Sequence, residues 1–419
     1  MKPTLYSIIL LLTLSSSAYP LTMDEAVKLA LENNHRVKKY SHNRMARDFD
    51  LKSKKAEFLP DLDLSYSYTS LDEASLYQTK ESSIASIEAK YNIFNGFIDS
   101  NNMKEARALL NAASFQEMSV KADIVFEVKM AYIELLRAKK NLVVSFETVK
   151  LLEKERQNAG FYFREGIIAK NELLKVEVEL ASAMLTRLQE ESALKTAMDR
   201  LEMITGAKGV EPSDLADLLE RSVRAADYKS VYEYNIVHKA ELRYLQALRD
   251  AKKFELKSLS GEYLPTIDIA LRQSSFGDDA TPSGKAGDDD ERRGEISATW
   301  KLFAPVKKGY DVDSERAELS SIEEAIAELE DEIRFQLKSA VEEHRLAMGK
   351  LMVAEKGIAH AEENYRITQN QFRQQIATTT DILDAGAALS RAKNDYNNAR
   401  YDLQAATAKI ERMTEGFAI

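Results

Sequence analysis

The sequence predicts a mainly α-helical protein with a small β part, made of duplicated units in which two strands precede a long helical hairpin. Helix breakers are scarce, with 7 Pro and 15 Gly among 419 residues, below the roughly 5% and 7% of average chains. Charged residues make up 30% of the chain and hydrophobic residues 44%. This combination is typical of long, solvated amphipathic helices and is unlike a Gly-rich sandwich or a doubly wound sheet.

A repeat of about 200 residues determines the domain organisation. FREGIIAKNELL from Phe163 aligns with FRQQIATTTDIL from Phe372, 209 residues later, and IEAKYNIF from Ile87 aligns with ISATWKLF from Ile296 at the same offset. Upstream, LKSKKAEFLPDLDL aligns with LKSLSGEYLPTIDI at an offset of 205. We therefore predict a first repeat at 21–206, a connecting segment at 207–229 and a second repeat at 230–415.

Residues 1–18 have the order of a cleaved signal peptide. Lys2 is followed by the apolar run from Leu5 to Leu14 and then by small residues ending at Ala18. A membrane anchor is the alternative, but a spanning helix needs roughly 20 apolar residues. No later stretch is apolar enough to span a bilayer as a helix. The mature chain is therefore expected to be soluble outside the inner membrane or to cross a membrane as strands.

Four segments alternate between apolar and polar residues, which is the period of a β-strand. We predict strands at about 59–70, 84–94, 264–275 and 295–303. At about ten residues each, they have the length that a membrane strand needs. A soluble sheet with one wet face explains the alternation as well. In the membrane interpretation, the lipid-facing residues are Leu62, Leu64, Tyr66, Tyr91, Ile267, Ile269 and Trp300.

Long helical hairpins are predicted at about 99–206 and 308–414. The proline-free stretch from Asp99 to Phe163 would form a rod on the order of 100 Å long. Its apolar residues recur in steps of three and four, as in a coiled-coil seam: Val125, Val128, Tyr132, Leu135, Ala138 and Leu142. The helix that returns from Asn171 carries a similar stripe of Leu174, Val178, Ala181, Leu185 and Leu188. Gly166 stands where the chain reverses.

Four membrane strands cannot form a stable sheet alone, because open edges in lipid leave backbone groups unsatisfied. Outer-membrane barrels made from one chain start at eight strands. If the strands cross a membrane, several copies of the chain must pool them, and three copies would supply 12 strands and 12 long helical stretches.

The chain resembles the TolC-type outer-membrane efflux proteins, also called outer membrane factors. The resemblance rests on LTMDEAVKLALENN at the N-terminus, EFLPDLDLSY and YNIFNGF at the first two strands, TTTDILDA from Thr378 to Ala385, and the tandem copies. His35 and Ala240 stand where the family often has proline. The resemblance implies a homotrimer, with a 12-strand β-barrel in outer-membrane lipid continued by an α-helical barrel in the periplasm of a Gram-negative type envelope.

The implied function is passive conduction through the exit duct of a tripartite efflux or type I secretion system, together with an inner-membrane pump and a periplasmic adaptor. Asp381 and Asp384 match the family's acidic residues at the periplasmic gate, where threefold symmetry would form two rings that attract cations. The alternative is a solvated pair of carboxylates near a helix N-terminus. The first copy has Glu172 and Lys175 at these positions.

The tips of the hairpins are the implied contact with the adaptor. Gly166 and Ile167 resemble the small and apolar residues of that contact, and the second copy has Gln375 and Ile376. A plain helical turn explains these residues nearly as well.

Other functions are disfavoured. A net charge of −10 lacks the footprint of a nucleic-acid binder. The chain has no cysteine, its five histidines form no HExxH motif, and no phosphate-binding glycine motif is present. We therefore expect no enzyme activity, cofactor or metal site, and interpret the acidic segment from Gly277 to Gly294 as an extracellular loop. A soluble periplasmic coiled-coil structural or adaptor protein is the alternative function.

Overall fold

The computed structural model describes residues 21–74, 80–209, 215–216, 238–282, 290–302 and 305–414. The predicted signal peptide at 1–18 lies outside the described residues. Most of the predicted connecting segment at 207–229 lies outside them as well.

The described ranges contain seven helices and four strands, in the order that the sequence predicts. The chain is mainly helical with a small sheet, which confirms that part of the predicted fold class. The helices are α1 (Met23–Asn33), α2 (His35–Ala56), α3 (Ile98–Arg164), α4 (Lys170–Thr205), α5 (Ala240–Gly261), α6 (Pro305–Arg373) and α7 (Thr379–Met413). The strands are β1 (Asp61–Ser70), β2 (Glu81–Phe94), β3 (Thr266–Gly277) and β4 (Asp290–Thr299).

The chain forms two compact units that cut across the sequence repeats. The described part of the first unit comprises 21–34, 122–209, 215–216 and 337–414. The described part of the second unit comprises 35–74, 80–121, 238–282, 290–302 and 305–336. Both units therefore contain segments from each repeat.

The sheet lies in the second unit and is antiparallel, with strand order β1-β2-β3-β4. The central pairing of β2 with β3 joins the first repeat to the second, and places Ala89 opposite Leu271. Each outer strand pairs with its neighbour in sequence, as hairpins do. The two copies of the strand pair thus build one continuous sheet.

The predicted bounds of the last strand, 295–303, are wrong at both ends, because β4 runs from Asp290 to Thr299. Asp290 to Gly294 therefore belong to the strand and not to the loop predicted from Gly277 to Gly294. The next pair would oppose Trp300 to Pro265, and proline has no amide hydrogen for the ladder. Trp300 therefore lies beyond the strand, whereas the sequence predicts it within the strand. Its indole N–H donates to the carbonyl oxygen of Tyr263 at 3.0 Å.

A close backbone approach joins two turns of the second unit. A Cβ on Gly96 would lie 2.2 Å from the carbonyl oxygen of Gly261, and a Cβ on Gly261 would lie 2.3 Å from that of Gly96. Gly96 also has a φ of 71°, where residues with a Cβ are strained. This contact fixes the turn from β2 into α3 against the end of α5, just before β3.

The core of the first unit contains the predicted seam of α3. Val128, Tyr132 and Leu135 are fully buried. Four ion pairs link α3 to α7 alongside this seam: Asp123–Arg412, Lys129–Glu411, Arg137–Asp402 and Glu147–Lys393. Apolar packing and these ion pairs together hold α3 beside α7.

Candidate functional site

The sheet register places the candidate lipid-facing residues on one face. Residues directly opposite each other in neighbouring strands share a face, and the pairs Leu62↔Ala89 and Ala89↔Leu271 extend this face from β1 to β3. It carries six of the seven predicted residues, namely Leu62, Leu64, Tyr66, Tyr91, Ile267 and Ile269. It also carries Ile87, Leu271 and Ile296, which the sequence prediction did not name. We call it the apolar face.

Most of the apolar side chains named on this face are exposed within the single chain, and Ile267 and Ile269 are half-buried. Leu64 is 83% exposed, Ile296 72% and Leu62 70%. An apolar surface of this extent is unusual on a soluble monomer and marks a contact with lipid or with another protein. Contact with lipid remains a prediction.

The opposite face of the sheet is polar and internally bonded. The hydroxyl oxygens of Ser65 and Ser86 lie 2.8 Å apart, and the Asn92 amide donates to an Asp268 carboxylate oxygen at 2.9 Å. Arg272 forms an ion pair with Glu88. A sheet with one apolar and one hydrogen-bonded polar face matches a wall between lipid and water.

On the side of the sheet that carries the apolar face, polar residues replace apolar ones near the β1–β2 and β3–β4 loops. Gln273 lies opposite Arg292, and Ser275 opposite Asp290. The hydroxyl of Tyr66 donates to the carbonyl oxygen of Ala280 at 2.5 Å. The apolar region is therefore bounded on this side by polar groups, as expected at a lipid headgroup level.

Both helical hairpins reverse through the same backbone motif. The amide of Ile167 donates to the carbonyl of Tyr162, and that of Gly166 to Phe163. In the second hairpin, Ile376 donates to Gln371 and Gln375 to Phe372. These pairs form a Schellman motif, which needs a left-handed residue after the helix. Gly166 has a φ of 70° and Gln375, at the equivalent position, a φ of 62°.

The left-handed position is a glycine in the first hairpin and a glutamine in the second, which predicts opposite effects of two substitutions at the tips. Gly166→Ala should lower the stability of the first hairpin by about 1–2 kcal/mol, because alanine resists the left-handed conformation. Gln375→Gly should raise that of the second hairpin, since it removes the same resistance. Thermal unfolding of each purified variant measures both. Equal effects of the same sign at the two positions would contradict this interpretation.

The tips of the two hairpins lie side by side. The rings of Tyr162 and Phe372 meet edge to face with centroids 6.0 Å apart. A cleft of about 440 Å³ opens between them, lined by Ile167, Ala169, Gln375 and Thr378 among others. Ile167 in this lining is 49% exposed, and Ile376, which follows the lining residue Gln375, is 69% exposed. The structure thus brings two of the four predicted tip residues, Ile167 and Gln375, around this cleft and adds the two aromatic rings, which sequence reasoning missed.

Asp381 forms a capping box at the start of α7. Its carboxylate accepts hydrogen bonds from the Thr378 hydroxyl at 2.7 Å and the Thr378 amide at 2.8 Å. In return, the Asp381 amide donates to the Thr378 hydroxyl at 3.2 Å. The side-chain bond, followed by the backbone bond, lowers the pKa of Asp381 below its usual value. The capping bonds stabilise the folded protein fully at pH values above the ordinary pKa of an aspartate. This stabilisation is lost only as pH falls through the lowered pKa of Asp381 in the folded state, so Asp381 stays ionised near neutral pH.

Asp384 differs from Asp381 in having no partner. Both side chains are exposed, and Asp384 makes no hydrogen bond or ion pair with any residue that the structure describes. Lys175 of the first hairpin pairs with Glu172 at 2.9 Å and reaches the Thr380 hydroxyl at 3.3 Å. A cation therefore lies next to the residue that precedes Asp381. A role of the two aspartates as a gate remains a prediction.

No helix within the described ranges is long and apolar enough to cross a membrane.

Comparison with known proteins relates the chain to outer-membrane proteins. A family model described as outer membrane efflux protein matches residues 26–207. TolC of Vibrio cholerae is 22% identical over 405 residues, which cover 93% of this chain and 90% of that protein. These matches support a TolC-type outer membrane factor. They indicate a location in the outer membrane that extends into the periplasm.

Another relative and a solved structure extend the comparison. AprF of Pseudomonas aeruginosa, an alkaline protease secretion protein, is 22% identical over 313 residues, and the match spans 73% of this chain but only 63% of AprF. The CmeC outer membrane channel of Campylobacter jejuni has the same fold, with a TM-score of 0.85 at 13% identity over 94% of this chain and 85% of CmeC. The chain thus shares its fold with an outer-membrane channel.

Proposed function

We propose that this outer membrane efflux protein is the exit duct of a tripartite efflux or type I secretion system. It would conduct substrates passively from an inner-membrane pump and a periplasmic adaptor across the outer membrane. The observation that carries the proposal is the sheet with one exposed apolar face and one hydrogen-bonded polar face. Such a sheet suits a pore wall, with lipid outside and water inside. We infer a conduit and not an enzyme.

The free edges of the sheet support a homotrimer. Within the described residues, the outer edges of β1 and β4 have no pairing partner. In lipid these edges would leave amide and carbonyl groups unsatisfied. Because neighbouring strands alternate in direction, β4 of one copy would run antiparallel to β1 of the next. Both edge strands have ten residues, so three copies would close a 12-strand barrel, continued by the α-helical barrel in the periplasm.

The hairpin tips are the proposed docking surface for the adaptor. The cleft between them is lined by exposed Ile167 and by threonine residues at the start of α7, and exposed Ile376 lies next to the lining residue Gln375 in the chain. An apolar side chain of a partner would fit a pocket with this lining.

The gate is proposed to consist of Asp381 and Asp384 from three copies. Two rings of carboxylates at the entrance would attract cations. Because the carboxylates within each ring repel one another, they would move apart when the tips separate. Of the two, Asp384 has no partner in the described chain, and its charge is free to face the axis. The capping bonds of Asp381 hold its carboxylate at the first turn of α7.

A matched pair of substitutions tests the lipid contact. Leu64→Arg places a charge on the apolar face, which costs about 2–4 kcal/mol in the middle of a membrane. Ser65→Arg places the same charge on the polar face, one residue further along β1. We expect Leu64→Arg to reduce the amount of protein assembled in the outer membrane severalfold, and Ser65→Arg to leave it nearly unchanged.

Fractionation of the cell envelope provides the measurement. Equal amounts of both variants in the outer membrane would refute the lipid contact. Release of the wild type as a monomer by detergent-free periplasmic extraction would instead favour the soluble coiled-coil alternative.

A further inference from the structure

We propose that the apolar face of the sheet carries a binding site for a membrane lipid with a phosphate headgroup, near the β3–β4 loop. The phosphate would bind to Arg292 and Gln273, and an acyl chain would lie in a groove over Ala89 and Gly294. The inference rests on the proposed lipid contact and specifies which class of lipid this part of the face retains.

The first observation is an unpaired arginine on the apolar face. Arg292 lies directly opposite Gln273 in the sheet, and Gly294 lies opposite Leu271. Because alternate residues of a strand share a face, Arg292 projects from the same side as Ile296. Its side chain is exposed and makes no hydrogen bond or ion pair with any described residue. Among the described strand residues, Arg292 is the only cation on this face.

The adjacent arginines on the polar face differ from Arg292, because both have partners within the chain. Arg272 pairs with Glu88, and Arg293 pairs with Glu291 at 2.9 Å. A charge on a lipid-facing surface is costly unless it finds a partner or reaches the interface. Arg292 therefore needs an anion from outside the chain.

Carboxylates of the sheet do not supply that anion. The described strands carry two of them on the apolar face, Asp290 and Glu81, and Arg292 pairs with neither. Asp290 lies two residues nearer the loop, and Glu81 begins β2 at its own loop end. In the proposed trimer β4 would adjoin β1 of the next copy, whose residues on this face include no carboxylate: Leu62, Leu64, Tyr66, Tyr68 and Ser70. The surrounding lipid is left as the source.

The second observation is a shallow groove of about 400 Å³ beside Arg292. We call it the lipid groove. Its floor contains the small residues Ala89 and Gly294, and a Cβ built on Gly294 would lie 3.4 Å from the Cδ2 atom of Leu271. Larger apolar residues complete the lining: Leu62, Ile87 and Leu271. An acyl chain fits such a lining, because it is apolar and open to the lipid side.

The polar end of the lipid groove is formed by Arg292 and Gln273. A guanidinium can donate two parallel hydrogen bonds to a phosphate group. The exposed amide of Gln273, directly opposite, offers a further donor. The chain as a whole has a net charge of −10, so a preference for an anionic lipid would have to arise at a local cation and not from the overall charge.

The position of Arg292 along β4 suits a headgroup contact. From Arg292 to the end of the strand at Thr299, the chain rises about 23 Å. At a strand tilt of about 40°, this corresponds to roughly 18 Å of an apolar band about 25 Å tall. Trp300, 61% exposed, follows at the far end, where an aromatic residue marks the other interface. The long side chain of Arg292 can then extend its charge to the headgroup level.

Native mass spectrometry of the purified full-length protein tests the site. The protein is released from detergent micelles that contain equal amounts of phosphatidic acid and phosphatidylcholine with the same acyl chains. We expect the wild type to retain phosphatidic acid about fivefold over phosphatidylcholine, the gain that one basic residue typically provides at an anionic lipid surface. Arg292→Gln should abolish this preference. Arg293→Gln is the matched control, because it removes the same charge from the polar face and should retain the preference.

Two further arms test the groove and the source of the phosphate. Gly294→Val should lower the retention of phosphatidic acid severalfold, because its side chain would fill the floor of the lipid groove. Unchanged retention would overturn the groove. Inorganic phosphate in large excess should leave the lipid bound, since it has no acyl chain. Displacement of the lipid by inorganic phosphate would show a site for a soluble anion and overturn the proposal.

The outcomes separate this inference from the proposed function. Equal retention of the two lipids by a wild type that assembles in the outer membrane would overturn the site and leave the duct intact. A preference that survives Arg292→Gln, or is lost in Arg293→Gln, would also overturn it. Equal assembly of Leu64→Arg and Ser65→Arg in the outer membrane would instead refute the lipid contact on which the site depends.

Discussion

Gly96→Ala is expected to destabilise the second unit by about 2–5 kcal/mol. Alanine in the left-handed conformation costs roughly 1–2 kcal/mol, and overpacking typically costs 1–3 kcal/mol more. The new Cβ would lie 2.2 Å from the carbonyl oxygen of Gly261, and because that atom belongs to the backbone, a side-chain rotation cannot relieve the clash. Thermal unfolding followed by helical circular dichroism in detergent measures the effect.

Gly160→Ala is the matched control. Gly160 lies inside α3, and a Cβ there meets no atom within 4 Å. Alanine favours a helix over glycine by about 1 kcal/mol, so this substitution should be neutral or stabilising. A Gly96→Ala variant as stable as Gly160→Ala would show that the two turns do not touch as described.

Lys252→Met is expected to cost the second unit roughly 2–4 kcal/mol, near the range for breaking a buried ion pair. The Lys252 side chain is only 12% exposed and forms ion pairs with Glu255 at 2.9 Å, Glu318 at 2.6 Å and Glu315. Burial acts to lower the pKa of Lys252, but the three carboxylates outweigh it and raise the pKa. Methionine would preserve the volume and leave the carboxylates without their shared cation.

The stability lost by Lys252→Met should also depend on pH. Burial, and then the charge of Glu255, already raise the pKa of nearby Glu105. Lys252 acts in the opposite direction on Glu105, so its removal should raise the pKa of Glu105 further above that of the unfolded chain. A raised carboxyl pKa costs stability above it, and the cost disappears as pH falls through it. The deficit of Lys252→Met should therefore shrink between pH 8 and pH 5.

Lys253→Met provides the control for Lys252→Met. Lys253 is 42% exposed and lies 3.9 Å from Glu323, and exposed pairs contribute about 0–1 kcal/mol. Its loss should change the unfolding temperature little at either pH. A Lys252→Met variant that behaves like Lys253→Met would refute the central role of Lys252.

The sequence was sufficient for the element order because local periodicity encodes it. Alternation predicted all four strands, and steps of three and four predicted the buried seam of α3. The end of β4 was not predictable from its own residues, because Pro265 on the neighbouring strand ends the ladder. The pairing of Gly96 with Gly261 depends likewise on where α5 ends in space.

The candidate site was only partly visible in the sequence. The pattern Thr378-x-x-Asp381 is a capping-box signal, and it could have assigned Asp381 its local role. Alignment of the repeats places Gln375 opposite Gly166, which could have predicted its left-handed backbone. By contrast, the cleft around Tyr162 and Phe372 depends on two hairpins meeting, and no local pattern describes that contact.

Recording of currents across a planar lipid bilayer tests the central claim most directly. Purified wild-type protein should insert and give discrete, cation-preferring conductance steps. Asp381→Asn with Asp384→Asn should enlarge the steps and weaken the cation preference, because asparagine removes both charges while its amide oxygen can still accept the capping bonds at residue 381. Absence of conductance steps from both the wild type and the double variant would contradict a passive duct.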